Sequence, residues 1–290
     1  MPSMKDVLNK IASVKKTKQI TRAMNMVASA KLRKAQERIE QFRPYAQKYY
    51  EMLGDLAAGV EPTAHPLLEP REEKKTAGVL LITSDRGLCG AYNAYLINLG
   101  LELAKEKAAE GKQVKFYCVG RKGRDRMRKS EYQVAQSYPD RMNYFDFTLA
   151  AELGKEVTDA YLQTELDEVH MVYGQFLSVA RQEASRLQIL PVTAAQESDS
   201  PGSSVEYTYE PSVEGLLAEL LPRFINVQIY RGLLETAASE HAARMTAMDN
   251  ATRNCDDMIA DLTLSYNKAR QAAITTELMD IVGGAEALKG

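Results

Sequence analysis

Apolar and small residues at the start of the chain recur at alternating steps of three and four positions. The steps run without a slip over Met4, Val7, Ile11, Val14, Lys18, Thr21, Asn25, Ala28, Leu32, Ala35, Ile39, Phe42, Ala46, Tyr49, Leu53 and Leu56. This heptad spacing predicts one long coiled-coil helix over residues 1–58. Its interior proline, Pro44, can kink such a helix without ending it.

The last third of the chain carries a second seam of the same kind. It runs over Ala238, His241, Met245, Met248, Thr252, Cys255, Ile259, Leu262, Tyr266, Ala269, Ala273 and Thr276. The helical pattern predicts a helix over residues 212–288, with Pro222 as a kink or a late start. We expect the two terminal helices to pair as an antiparallel coiled coil, and a repeat of 3.5 residues gives such a pair a left-handed supercoil.

The two predicted helices differ in length. If Leu56 lies opposite residue 212, Met4 lies opposite about Leu264, and some twenty C-terminal residues have no helical partner. These residues include apolar side chains off the seam: Ile274, Leu278, Ile281, Val282 and Leu288. Because a protein seldom leaves such a patch in water, we expect this tip to lie inside another protein.

Between the helices the pattern changes to alternating strands and helices. We predict strands at 77–83, 113–119, 132–137, 169–176 and 185–192, and helices at 93–110, 121–129 and 148–163. This alternation indicates a small, mainly parallel, Rossmann-like α/β domain over residues 76–196. The expected fold class is therefore α/β plus a long two-helix coiled coil.

Composition excludes several classes of protein. The chain has 290 residues and a formal charge of -2, which argues against a protein that coats nucleic acid. Its longest apolar run, residues 77–83, is too short to span a membrane.

The N-terminus has no apolar signal region, so we expect it to be part of the mature fold. The three cysteines are widely separated, which points to a reducing compartment.

The first 36 residues are strongly basic, with nine lysines and arginines against Asp6 alone. Cations at a helix N-terminus oppose the helix dipole, so something outside the chain is expected to compensate them. We favour an acidic protein surface. A solvated helix face is the alternative, and nucleic acid ranks third because the segment lacks aromatic residues for base stacking.

Residues 83–93, TSDRGLCGAYN, follow a predicted strand and open a helix, where a phosphate docks in nucleotide-binding enzymes. Gly87 and Gly90 do not complete any known phosphate-binding motif, so we favour a structural turn in which Ser84 or Asp85 caps a helix. The histidines His65, His170 and His241 are not spaced as metal ligands. We predict no catalytic residues, no metal and no cofactor.

Three stretches of the chain closely resemble the γ subunits of F-type ATP synthases. They are KIASVKKTKQITRAMNMVASAKLRKAQ near the start, ITSDRGLCGAYN in the middle, and EHAARMTAMDNATRNCDDMIADLTLSYNKARQAAITTELMDIVGGAEAL at the end. The resemblance covers essentially the whole length. The chain lacks the insertion with a cysteine pair found in chloroplast members, and a bacterial origin is the natural expectation.

The resemblance implies a non-catalytic rotor shaft. It turns inside a hexamer of α and β subunits, while its α/β domain binds the ε subunit and the ring of c subunits. It implies a peripheral place on the cytoplasmic face of the bacterial inner membrane. By the same resemblance, Met24 and Arg244 lie near a moving acidic loop of β, and Arg270, Gln271, Thr275 and Glu277 face the upper sleeve of the hexamer. Tyr207, Tyr209 and Glu210 are then expected in the foot near the c ring.

Two other functions stay open at this point. One is a nucleotide-binding α/β enzyme that uses the turn at Asp85 and dimerises through its helices. The other is a static coiled-coil tether between two proteins.

Overall fold

A computed structural model describes residues 4–58, 65–71, 74–192 and 213–287. The chain divides into two compact units. One unit, here the paired ends, joins residues 1–28 to residues 245–290, and the other, here the sheet unit, is Ser29–Arg244. The elements in chain order are α1 Met4–Ala58, β1 Thr76–Ile82, α2 Tyr92–Ala109, β2 Gln113–Val119, α3 Arg121–Met127, β3 Gln133–Tyr138, α4 Phe147–Leu162, β4 Glu168–Phe176, β5 Gln182–Leu190 and α5 Val213–Ala287.

The sheet has the strand order β3-β2-β1-β4-β5. All neighbouring strands are parallel except β5, which runs antiparallel to β4. This confirms the mainly parallel α/β sheet. The central strand β1 reads TAGVLLI and is apolar and buried from Ala77 onward because helices cover both faces of the sheet.

Two hydrophobic clusters lie on opposite faces of β1. Leu80 and Ile82 pack with α4 and with the parts of α1 and α5 that belong to the sheet unit. Val79 and Leu81 point the other way and pack with α2 and α3. The alternation follows from the two-residue period of a strand.

The sheet unit brings α5 very close to the sheet and to α4. A Cβ atom added at Gly232 would lie 2.7 Å from the sulfur of Met171 on β4, and one added at Gly154 of α4 would lie 1.8 Å from the Asn226 side chain. Pro222 lies inside α5 and does not interrupt it. The part of α5 that belongs to the sheet unit therefore packs directly against β4 and α4.

The paired ends form the predicted antiparallel seam. Thr21 and Thr252 join their hydroxyls at 2.8 Å, Lys18 contacts Asp256, and the Asn25 amide donates to the Met245 carbonyl at 2.9 Å. As the residue number rises along α1, the number of its partner on α5 falls, so the two helices are antiparallel here. Three polar residues that the heptad pattern placed in the seam of α1, Lys18, Thr21 and Asn25, thus have partners across it.

The register differs from the expected one by five residues, about one and a half helical turns. Counting 17 residues from Thr21 back to Met4, and 17 from Thr252 forward, places Met4 level with Ala269 rather than Leu264. The expectation assumed that the helices start level at Leu56 and residue 212, whereas the cross-seam polar pairs fix the true register.

Within the described residues, no helix is both long enough and apolar enough to cross a membrane.

Candidate partner-contact sites

The turn after β1, residues 84–90, is organised around a buried carboxylate. Asp85 is 6% exposed and accepts three backbone hydrogen bonds, from Arg121 N at 3.0 Å, Asp140 N at 2.7 Å and Met142 N at 3.0 Å. Arg121 is the first residue of α3, so Asp85 satisfies a free amide at that helix N-terminus. The structural turn predicted from the sequence is thus confirmed, although the helix involved is α3 and not the adjacent α2.

The Asp85 side chain also answers the question of a phosphate site. Backbone N–H groups beyond the carboxyl ends of the parallel strands are the donors that would face an anion in a doubly wound sheet. Here the Asp85 carboxylate already accepts from one such amide after β2, Arg121 N, and from two after β3, Asp140 N and Met142 N. Within the described ranges, no group of three or more His, Cys, Asp or Glu residues is arranged to hold a metal ion.

Two charged residues of α5 pack against this turn. The Arg244 guanidinium donates from Nη2 to the carbonyls of Arg86 at 3.3 Å and Gly87 at 3.1 Å, and its Nη1 lies 2.7 Å from Glu240 Oε1. Both side chains are largely buried, with 12% of Arg244 and 7% of Glu240 exposed. Burial raises the pKa of Glu240, while Arg244 acts in the opposite direction. Arg244, a predicted contact residue, is thus engaged within its own unit.

The tip of the turn points outward. Leu88 has a φ of 62° and is 65% exposed, while the neighbouring Cys89 is buried. Burial raises the pKa of the Cys89 thiol, which keeps it protonated and unreactive at neutral pH. The Ser84 hydroxyl donates to the Arg86 carbonyl at 2.6 Å. The turn therefore presents one apolar side chain on a rigid polar base.

Met24 lies in the paired ends and is half-buried. Ile20 and Val27, at i−4 and i+3 from Met24, are 60% and 57% exposed. Together they form an apolar stripe off the seam. Sequence reasoning missed Ile20 and Val27 because it followed only the seam, although apolar residues outside a heptad pattern were the available signal.

The predicted sleeve contacts all lie near the C-terminal end of α5 in the paired ends. Their side chains are exposed: Arg270, Gln271, Thr275 and Glu277. The Thr275 hydroxyl donates to the Gln271 carbonyl at 2.9 Å, which turns its polar group toward the helix.

Apolar residues share this helix end. Ile274 is 45% exposed, Leu278 57%, Ile281 68% and Val282 55%. The structure therefore confirms that these four side chains of the predicted tip are left uncovered within the chain. Leu288 lies outside the described residues, as do the predicted foot residues Tyr207, Tyr209 and Glu210.

The other end of the strands, where β4 begins, holds a charge cluster that sequence reasoning did not identify. The Glu168 carboxylate, at the start of β4, lies 3.1 Å from Lys107 Nζ and 3.0 Å from Lys112 Nζ, and His170 Nε2 is 3.6 Å away. Burial alone would raise the pKa of Glu168, but the close contacts with His170, Lys112 and Lys107 outweigh it and hold that pKa well below its usual range. The cluster ties α2 and the connection between α2 and β2 to the start of β4.

Comparison with known proteins identifies clear relatives. A family model described as ATP synthase matches residues 3–288. The "ATP synthase gamma chain" of Maridesulfovibrio salexigens is 66% identical, and that of Nitratidesulfovibrio vulgaris strain Hildenborough is 67% identical, each over 100% of both chains.

Solved structures resemble the chain as well. A chain from the central stalk and c-ring of the Tetrahymena thermophila mitochondrial ATP synthase has a TM-score of 0.59 and 25% identity, covering 80% of this chain and 99% of that one. A chain of the Euglena gracilis mitochondrial enzyme has a TM-score of 0.67 at 20% identity, covering 98% and 94%, which supports the fold.

Proposed function

The chain belongs to the ATP synthase gamma chain family, and from that premise we propose that it is the central rotor shaft of a proton-translocating ATP synthase. The family resemblance seen in the terminal and central motifs is thereby confirmed. In this role the chain performs no covalent chemistry. It transmits torque between a membrane-embedded c ring and the catalytic sites on the β subunits.

The uncovered apolar tip carries the proposal. Ile274, Leu278, Ile281 and Val282 are spaced i, i+4, i+7 and i+8 on α5, so they form one exposed apolar stripe at a level where α1 offers no partner. Covering one such side chain contributes on the order of 1.5–3 kcal/mol, so water is a poor environment for the group. A ring of α and β subunits that surrounds the helix supplies an apolar sleeve. Such a sleeve can cover these side chains at any rotational angle of the shaft.

A shaft must also resist sliding of its two helices. In the paired ends, the bond between Thr21 and Thr252 and the bond from Asn25 to Met245 join the helices across a seam of small and aliphatic residues. Each such bond contributes about 1 kcal/mol, and each must break before one helix slips past the other. These polar pairs favour transmission of torque over loss of register.

The family role extends to particular contacts. We place Met24 and Arg244 at the level where the shaft meets the moving acidic loop of β, and Arg270, Gln271, Thr275 and Glu277 in the sleeve of the α/β hexamer. Lysines on the outer face of α1, beside the exposed Ile20 and Val27, suit an acidic partner surface.

The remaining partners follow from the same role. The foot, residues 76–196, binds the ε subunit and the c ring, with Tyr207, Tyr209 and Glu210 near that ring, and residues 1–58 and 212–288 form the shaft. The protein is then peripheral to the cytoplasmic face of a bacterial inner membrane. No nucleic acid takes part.

Rotation of a label on the sheet unit tests the function directly. Tyr144 is 93% exposed, while Cys89 and Cys118 are buried, so Tyr144→Cys in a Cys255→Ser background provides one reactive position for a bead or fluorophore. The labelled chain is assembled with α and β subunits fixed to a surface, and ATP is added. Continuous unidirectional rotation is the expected result.

The controls separate the alternatives. Complexes without ATP, or with the label on an α subunit, should not rotate. ATP hydrolysis by the labelled complex without rotation would refute the shaft and favour a static tether. Micromolar binding of a nucleotide to the chain alone would instead favour the nucleotide-binding enzyme. That result is not expected, because the backbone amides around Asp85 are already bound to its carboxylate.

A further inference from the structure

Arg244 forms its ion pair and its hydrogen bonds with residues of its own unit. One arm of the guanidinium meets Glu240 one turn earlier on α5, and the other meets two carbonyls of the turn at residues 84–90. Only 12% of the side chain is exposed. An arginine so engaged has little surface left to offer another subunit.

We propose that Arg244 is a positioning residue that latches the turn at residues 84–90 to α5. It acts on coupling through the placement of that turn, and its own guanidinium does not bind a partner. The proposal rests on the shaft function and revises the route by which Arg244 serves it. Movement of α5 at this level then carries the exposed Leu88 with it.

The chemistry of arginine suits a latch of this kind. Its planar guanidinium presents donors in a fixed fork, so one side chain can hold a carboxylate and two carbonyls at once. A lysine has a single ammonium on a flexible stem and cannot span both sets of acceptors in the same way. Glu240, held in place by burial, orients the fork toward the carbonyls of Arg86 and Gly87.

The turn has a conformation that needs such support. Leu88 has a φ of 62°, in the left-handed region that a leucine seldom adopts, and Gly90 has a φ of 60°. A conformation of this type persists where its surroundings fix it from several sides. Asp85 and Ser84 hold the turn from the side of the sheet, and Arg244 holds it from the side of α5.

The test uses the full ATP synthase in inverted membrane vesicles, with Arg244→Met, Arg244→Lys and the control Arg223→Met. Arg223 also pairs with a glutamate one turn away on α5, Glu219 at 2.8 Å, but that pair is solvent-exposed and its bonding is within the helix. Two quantities are measured: protons pumped per ATP hydrolysed, and hydrogen exchange of the backbone amides of residues 84–93.

For Arg244→Met we expect exchange in the turn to be about tenfold faster, because the local opening equilibrium is no longer opposed by the latch. The pumping ratio should fall with it, by about threefold or more. Arg244→Lys should restore the pumping ratio only in part and leave exchange in the turn raised. Arg223→Met should match the wild type in both measurements.

Three outcomes would overturn the latch. The first is a lower pumping ratio with unchanged exchange in the turn, which indicates direct contact with a partner. The second is full rescue of the ratio by Arg244→Lys, and the third is faster exchange with an unchanged ratio. If Arg244→Met does not assemble, Arg244→Lys alone decides between these results. A wild-type complex that hydrolyses ATP without pumping would count against the shaft function and not against the latch.

Discussion

Asp85 offers the sharpest test of why the turn after β1 exists. Its Oδ1 accepts from two backbone amides, Arg121 N and Asp140 N, and its Oδ2 accepts from a third, Met142 N. Replacement by alanine removes all three acceptors. Replacement by asparagine keeps one oxygen, which can still serve two of the amides, and places an NH2 group against the third.

The expected magnitudes follow from this count. A buried amide that loses its acceptor costs about 1–3 kcal/mol, and local relaxation or entry of water recovers part of it. We therefore expect Asp85→Ala to destabilise the chain by about 4 kcal/mol and Asp85→Asn by about 2 kcal/mol. The matched control is Asp146→Ala, because Asp146 caps α4 through a single bond to Thr148 N at 3.0 Å. Its loss should cost about 1 kcal/mol.

The assay is urea unfolding of the full-length chain, followed by circular dichroism, with the slope of the transition compared between variants. An unchanged slope with a lower midpoint reports a change in stability. The reasoning is refuted if Asp85→Ala is no worse than Asp146→Ala, or if Asp85→Asn is as unstable as Asp85→Ala. In the first case the three bonds do not hold the turn, and a ligand-binding role for the carboxylate regains weight.

Two further predictions concern backbone geometry and pH. Gly120 and Gly111 both have positive φ, 90° and 82°, but an added Cβ at Gly120 lies 2.1 Å from the Thr83 carbonyl oxygen, whereas none of the atoms near Gly111 comes within 4 Å. Gly111→Ala should therefore cost about 1 kcal/mol and Gly120→Ala at least about 3 kcal/mol by thermal unfolding; equal costs would contradict the crowding at Gly120. Burial, with smaller effects of Arg244 and Lys31, lowers the pKa of His241 from 6.5 to about 4. Because the unfolded chain then binds a proton that the folded chain does not, wild-type stability should fall as the pH drops from 6.5 toward 4, by about 2 kcal/mol relative to His241→Gln after allowance for its partial exposure. A difference between the two proteins that does not change with pH would show that His241 is not held neutral.

Local pattern accounts for most of the elements. The predicted strand 113–119 coincides with β2, and the other predicted strands and helices overlap their observed counterparts, differing mainly at their ends. The seam residues of α1 from Val7 to Leu53 are buried or half-buried throughout. A period of 3.5 residues or an all-apolar run depends only on neighbours in sequence, so it is readable without coordinates.

The candidate site was only partly accessible in this way. The resemblance to the family predicted Arg244 as a contact residue. The residues of the turn predicted that Ser84 or Asp85 caps a helix. That Asp85 binds amides 36, 55 and 57 residues away, and that Arg244 reaches carbonyls 157 and 158 residues away, follows from how β1, α3 and α5 meet. Neither partnership leaves a trace in local sequence.

By itself, then, the sequence determined that two long helices flank a mainly parallel sheet, and that the C-terminal end of the second helix is apolar beyond its seam. Tertiary structure alone decided the register of those helices and which charges are buried. It also decided that the amides around Asp85 are occupied by the chain's own carboxylate. The physical reason is that hydrophobic periodicity is a local property, whereas a hydrogen bond or ion pair depends on distances between segments far apart in the chain.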